Sequence, residues 1–362
     1  MHGGQPHVRK IDVAAGIGGD AEPTMNAYCI LPLVLLTAGL APGCDPDLAE
    51  DAEESAVSLR PGGGGGIWLN TSSIGSKAFS EFDLTGQLHD GVRLTGVSIK
   101  RPNNLWITAT SSEVVNGQLH AKVGTTVYTG AALVGSRWKI SIPEYDYDHD
   151  DHDEDDEDDE DDEDDNGVRN VELWISAYTQ AAPNEGLYTF RTLDELGQPS
   201  YICDADASGS HAATPVRNIT VNRLTGDVNP RSSTAYLACT SGAIGKAITW
   251  GYKPWQRSLP DFEVATRMVR ADYCFDGNSW TTDGTSMQVR DSYGINDFAI
   301  ASEPTEVVWT TTGVACLTQP RNAAYVAPQV TCGGQALTVC PAGVTLATYS
   351  NALFWTKVNT LP

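Results

Sequence analysis

The stretch RMVRADYCFDGNSWTTDGT, residues 267–285, gathers residue types on which chemistry draws: two arginines, three aspartates, a cysteine and two Asp-Gly pairs. Asp272 falls four residues after Met268 and seven after Ala265, so on a continuing helix it would share their inward face. A buried carboxylate must be hydrogen-bonded or paired, and its pKa could be displaced as acid–base catalysis requires. Arg270 is the partner that proximity suggests, although helical geometry does not set it directly beside Asp272. Cys274 would be a nucleophile only as a thiolate beside an imidazole, and His211 is the one histidine of the second half of the chain. G-x-S-x-G, H-E-x-x-H and P-loop patterns are absent, so the enzyme reading reduces to a hydrolase using Asp272 or Cys274.

A structural reading competes with it. Arg270, Asp272, Asp276, Gly277, Asp283 and Gly284 would join a helix to a strand through two Asp-Gly turns, whose glycines permit φ > 0, and a disulfide at Cys274 would lock the joint. That reading accounts for every residue type in the stretch, and more buried carboxylates are structural than catalytic.

The elements that must position these residues follow from the flanking pattern. A helix is expected over Leu259–Cys274, with Asp261 as N-cap and Ala265, Met268 and Val269 facing inward. A shorter one is expected within Thr240–Tyr252, ended by Gly251 and Pro254. The runs SMQVRD and EVVWTTTGVACL read as strands. Upstream, RLTGVSI, LWITATS, QLHAKV, TTVYTG, RWKISI and NVELWISAYTQ are rich in β-branched and aromatic residues, and Asn116-Gly117 marks a hairpin. The expected fold is therefore a mainly β N-terminal domain, sandwich or barrel, over residues 67–185, followed by a small disulfide-stapled α+β domain over 186–362.

The chain has 362 residues and a formal net charge of −24, concentrated at residues 144–165, which hold carboxylates but no Lys or Arg. The remainder is only mildly acidic, which argues against a nucleic-acid partner. The acidic tract, an insertion over 144–167 between RWKISI and NVELWISAY, is expected to be a disordered hairpin loop. Its alternative role is weak divalent-cation binding, with His149 and His152 serving softer metals. Asp204 and Asp206 imitate the first half of a calcium loop, but Pro215 stands where the twelfth-position Glu is required, so an Asx-rich turn is the better reading. No other cofactor is expected.

Ile30–Leu40 is an apolar run too short to span a bilayer, closed by APGC. It resembles a bacterial lipobox, with Cys44 as the lipid attachment site and Ala41 where Leu is more usual. Residues 1–43 are thus expected to be an export signal with an N-terminal extension, Met25 being an alternative start. Residues 44–66 are expected to be an acidic, Gly-rich tether. Export makes disulfides the expected state of the remaining six cysteines, Cys203, Cys239, Cys274, Cys316, Cys332 and Cys340, with their pairing left open. Metal-ligand spacing is absent among them.

YICDADASG, ATPV, LACTSGAIGKAITWGYKPW, RMVRADYCFDGNSWTTDGT and VVWTTTGVACL, in that order, resemble the ADYC domain of exported bacterial proteins. WLNTSSIGSKAFSEFDLTGQLHDGVRLTGV resembles the segment that precedes it, so the resemblance covers most of Ile67–Leu317. It implies a lipoprotein of the cell envelope and no particular activity. The family pattern has a glycine where Phe275 stands and often a histidine where Trp280 stands. It has cysteines where Ala247 and Thr266 stand, one on each expected helix. Loss of both keeps the cysteine count even and implies that the two positions are neighbours. The function expected is that of a membrane-tethered extracytoplasmic lipoprotein, a binding or envelope-structural module with a partner in the envelope or outside the cell, and the exported hydrolase is the alternative.

Overall fold

A short hairpin, β1 (Ser73–Ile74) and β2 (Lys77–Ala78), opens the structure, a computed structural model that describes residues 68–74, 77–143, 167–194, 196–281, 284–298 and 304–358. The expected export signal, tether and acidic tract lie outside these residues, and with them Cys44, His149, His152 and Asp283. β3 (Glu81–Asp83), β4 (Arg93–Lys100) and β5 (Trp106–Thr108) follow. Next come β6 (Ser111–Val115), β7 (Gln118–Val123) and β8 (Thr126–Thr129), a three-stranded sheet of their own. The β6–β7 turn is Asn116-Gly117, with φ of 49° and 78°. Both central residues of such a two-residue hairpin need positive φ, which is why the dipeptide marks it in the sequence.

β9 (Arg137–Pro143) and β10 (Val168–Ala182) pair from Pro143↔Val168 to Arg137↔Trp174. The two strands flanking the acidic tract thus close on each other. Their alternation is strict: Trp138, Ile140, Leu173 and Ile175 are fully buried while Arg137, Lys139, Glu172 and Trp174 take the other face. β11 (Glu185–Leu193), β12 (Pro199–Tyr201), β13 (Ala212–Val221) and β14 (Val228–Cys239) complete a nine-stranded antiparallel sheet, ordered β3-β14-β13-β11-β10-β9-β4-β5 with β12 on β11.

α1 (Ala243–Thr249) and α2 (Leu259–Arg270) pack on each other and on β14. The N-cap of α2 is Ser258, whose Oγ accepts from the Asp261 amide at 3.2 Å. Asp261 was expected there and stands one turn inside. The chain ends with β15 (Met287–Asp291), β16 (Thr305–Thr310), β17 (Gly313–Leu317), a two-stranded hairpin of β18 (Thr331–Cys332) and β19 (Gln335–Ala336), and β20 (Ala352–Val358). The order β15-β20-β16-β17 makes a four-stranded sheet.

Two cores meet at β13 and β14. Along β14, Ala235, Leu237 and Cys239 enter the core that holds Phe82, Leu119 and Trp138. Tyr236 and Ala238 enter the core formed with the helices and the four-stranded sheet. A strand buried on both faces contributes about 1.5–3 kcal/mol for each large apolar side chain removed from water, and here it does so for two cores at once. The α+β part is therefore mounted on strands of the β-rich sheet, and that sheet runs without interruption across residue 186. α1 approaches this wall so closely that a Cβ on Gly245 would stand 2.1 Å from the Cys239 carbonyl oxygen.

Candidate functional site

α2 ends in a turn set by Ala271, which adopts the left-handed conformation at φ 54°. The Asp272 amide donates to the Arg267 carbonyl at 2.9 Å and the Ala271 amide to that of Met268 at 3.2 Å, the pairing of a Schellman motif. The helix stops at Arg270, short of the expected Cys274, yet Asp272 is still delivered to the interior and has no solvent exposure.

Its carboxylate is fully engaged. Oδ2 accepts from Arg267 Nη1 at 2.8 Å and from the Gly277 amide at 3.0 Å, and Oδ1 accepts from the Asp276 amide at 3.2 Å. Burial pushes the carboxyl up to about 6, against the charges of Arg267 and Arg270, which hold it down. The expected partner was Arg270, which is also buried. The ion pair is made by Arg267, five residues back, where the Schellman turn folds Asp272 onto its own helix. Gly277 is needed at its place: it has φ 82°, and a Cβ there would meet the Leu224 carbonyl oxygen at 2.0 Å.

Arg267 is the hub that sequence reasoning missed. Nε donates to Glu263, Nη1 to the Thr225 carbonyl and Asp272, and Nη2 to Asp227 and Glu263. All five guanidinium donors are thereby used. They tie α2 to the β13–β14 turn and to the loop after the helix. The Phe275 ring covers the guanidinium at 4.9 Å. Phe275 has φ 56°, a left-handed conformation that favours glycine, the residue that the resemblance implies is usual at this position.

Tyr273 and Cys274 bind the other side. Tyr273 Oη donates to Glu306 Oε1 and accepts from the Arg321 amide, both at 2.8 Å. Arg321 pairs with Glu306 and donates to the Val269 and Met268 carbonyls at 2.7 and 2.8 Å, closing the C-terminal end of α2. Tyr273, Glu306 and Arg321 are buried, and burial together with the Glu306 charge holds the Tyr273 hydroxyl well above its ordinary pKa. Cys274 is bonded to Cys332. The remaining bridges are Cys203–Cys239 and Cys316–Cys340, so all six cysteines are paired. With its sulfur in a disulfide, Cys274 holds no thiol.

The other candidates take local structural positions. His211 Nδ1 lies 2.8 Å from the Cys203 carbonyl oxygen, and its ring stacks on Tyr201. Asp206 makes the expected Asx turn, accepting from the Ser208 and Ser210 amides and from Thr240 Oγ1. Burial raises its pKa, but these hydrogen bonds outweigh that and leave it lowered. Asp204 is exposed and its carbonyl accepts from Ser241. Asp276 accepts from the Asn278 amide at 2.8 Å, and Gly284 has φ 82°. Among the described residues, Glu81, His89 and Asp90 form a group whose ligand atoms lie within 4.8 Å of one another. His89 Nε2 is hydrogen-bonded to Glu81 Oε1 at 2.7 Å, whereas Nδ1, 3.2 Å from Asp90 Oδ1, has no hydrogen-bond partner.

These contacts define a class: a mainly β, disulfide-stapled protein in which Ala271 turns the end of α2, and Asp272, Tyr273 and Cys274 fasten different neighbours to it. The ADYC domain matches residues 130–323, more than half of the chain, and the chain belongs to that family. No curated protein matches it, and no solved structure does.

Proposed function

We propose that this chain is an exported bacterial lipoprotein, tethered to the cell envelope through Cys44 and acting there as a binding or envelope-structural module. The observation that carries the reading is the sealed state of the motif. Asp272 has no solvent exposure and the Cys274 sulfur is held in a disulfide, which supports a fastening role for both over hydrolytic chemistry. Three disulfides belong to an oxidising, extracytoplasmic compartment. Among the described residues, no helix is long and apolar enough to cross a membrane, and the APGC sequence supplies a lipid attachment site instead. Labelling cells with a palmitate analogue tests the tether: the wild type takes up label and Cys44→Ser does not, whereas equal labelling of the two overturns the reading.

A further inference from the structure

The outward face of the nine-stranded sheet carries a row of rings and cations. Ser98 pairs with Arg137, Arg137 with Trp174, Trp174 with Arg191, and Arg191 with Tyr201, so one line crosses five strands from β4 to β12. Directly opposed residues of antiparallel strands share a face. At one end the Arg137 guanidinium lies over the Trp106 ring, 4.7 Å from its centroid, and Arg137 also pairs with Glu172 at 2.9 Å. At the other end Tyr201 is covered by Arg191 at 4.1 Å and by the His211 ring, parallel to within 3°. The first part of the row lies in an open cleft of about 810 Å³, in which Trp106 and Trp174 stand with Lys100, Arg137, Arg169, Glu172 and Asp194. Trp106 remains 42% exposed, more than a ring used only for packing needs.

We propose that this cleft binds a neutral polysaccharide segment laid across the strands, with pyranose rings stacked on Trp106 and Trp174. The electron-rich face of an indole attracts the slightly positive C–H face of a sugar ring. Three cations and two carboxylates line the cleft with the rings, so hydroxyl groups find both donors and acceptors. Neither a polyanion nor a polycation is selected by so balanced a lining. Single-stranded nucleic acid also stacks on rings, but its phosphates would meet the Glu172 and Asp194 carboxylates in the same lining. An open cleft several strands wide, at about 4.8 Å per strand, suits a chain of sugars better than a single small molecule.

This deepens the reading of the chain as a binding module and rests on it. The test uses the purified, oxidised protein and so stands apart from lipid labelling, which can succeed or fail independently. Titration calorimetry would compare β-1,4-linked hexamers of glucose and of N-acetylglucosamine with hexagalacturonate and with oligo-dT of the same reach. A neutral hexamer is expected to bind, and Trp106→Ala and Trp174→Ala are each expected to weaken it about tenfold with unfolding midpoints close to wild type. Should Trp174→Ala destabilise the sheet, Trp106→Ala on the short β5 edge carries the test alone. Binding of neither neutral hexamer at about 1 mM, tighter binding of the uronate or the oligo-dT, or affinity unchanged in Trp106→Ala overturns the proposal.

Discussion

The Asp272 carboxylate and the Arg267 guanidinium meet at 2.8 Å with neither side chain open to solvent. Two charges withdrawn from water cost several kcal/mol each unless their remaining donors and acceptors are filled. Here the Asp276 and Gly277 amides complete Asp272, while Glu263, Asp227 and the Thr225 carbonyl complete Arg267. The pair therefore fixes the helix end, the following loop and the β13–β14 turn in one arrangement.

A pH dependence follows from the Asp272 carboxyl, which burial pushes up to about 6 from its ordinary value of 3.8. Between those values the folded state holds the proton more tightly than the unfolded chain, so stability falls as pH rises through this window and levels off above it. The contribution is on the order of 3 kcal/mol. Urea unfolding of wild type and Asp272→Asn from pH 4 to pH 7 isolates it: the difference in stability, wild type minus variant, should decline with rising pH. A difference that grows with pH would contradict this.

The Cys274–Cys332 bridge spans 58 residues and joins the loop after α2 to the β18 hairpin. Closing a loop of that length restricts the unfolded chain by about 4 kcal/mol. Cys274→Ser with Cys332→Ser should lower unfolding free energy by roughly that amount and expose the β18–β19 hairpin to limited proteolysis. An unfolding midpoint equal to that of the wild type would show that the bridge does not stabilise the joint.

Ala247 on α1 and Thr266 on α2 are both completely buried, and their helices pack on each other. The resemblance to the ADYC pattern implies that cysteines are usual at both positions. Ala247→Cys with Thr266→Cys is expected to form a fourth disulfide on export, which requires Cα atoms within about 7 Å. It should stabilise the chain by about 3 kcal/mol, lost on reduction beyond the loss seen in the parent. Two titratable thiols in the double variant would count against the pairing.

Local signals were legible in the sequence. Asn116-Gly117 forms its hairpin because the turn's requirement for positive φ is met within two residues, and β9 and β10 pair because their alternation leaves one face apolar. The partner of Asp272 was not legible, because the left-handed Ala271 turns the chain back onto Arg267, and the further anchors of Arg267 come from Thr225 and Asp227, about forty residues away. Glu306 gave a faint signal, a carboxylate inside the apolar strand EVVWT, but Arg321 sits in a loop with no pattern around it. Burial of β14 on both faces, which fuses the two halves, depends on what packs from each side and has no local signature.

The central claim, that the ADYC motif is an internal fastening, is tested most directly by a double-mutant cycle on Asp272→Ala and Arg267→Met followed by urea unfolding. Arg267→Met should cost about 3–5 kcal/mol, because it leaves the buried Asp272 carboxylate without its ion-pair partner, and Asp272→Ala should cost less, because Arg267 keeps Glu263 and Asp227. The double variant should cost less than the sum by more than about 1 kcal/mol. Single changes costing under about 1 kcal/mol, the range of exposed ion pairs, with additive behaviour in the double variant, would contradict the account.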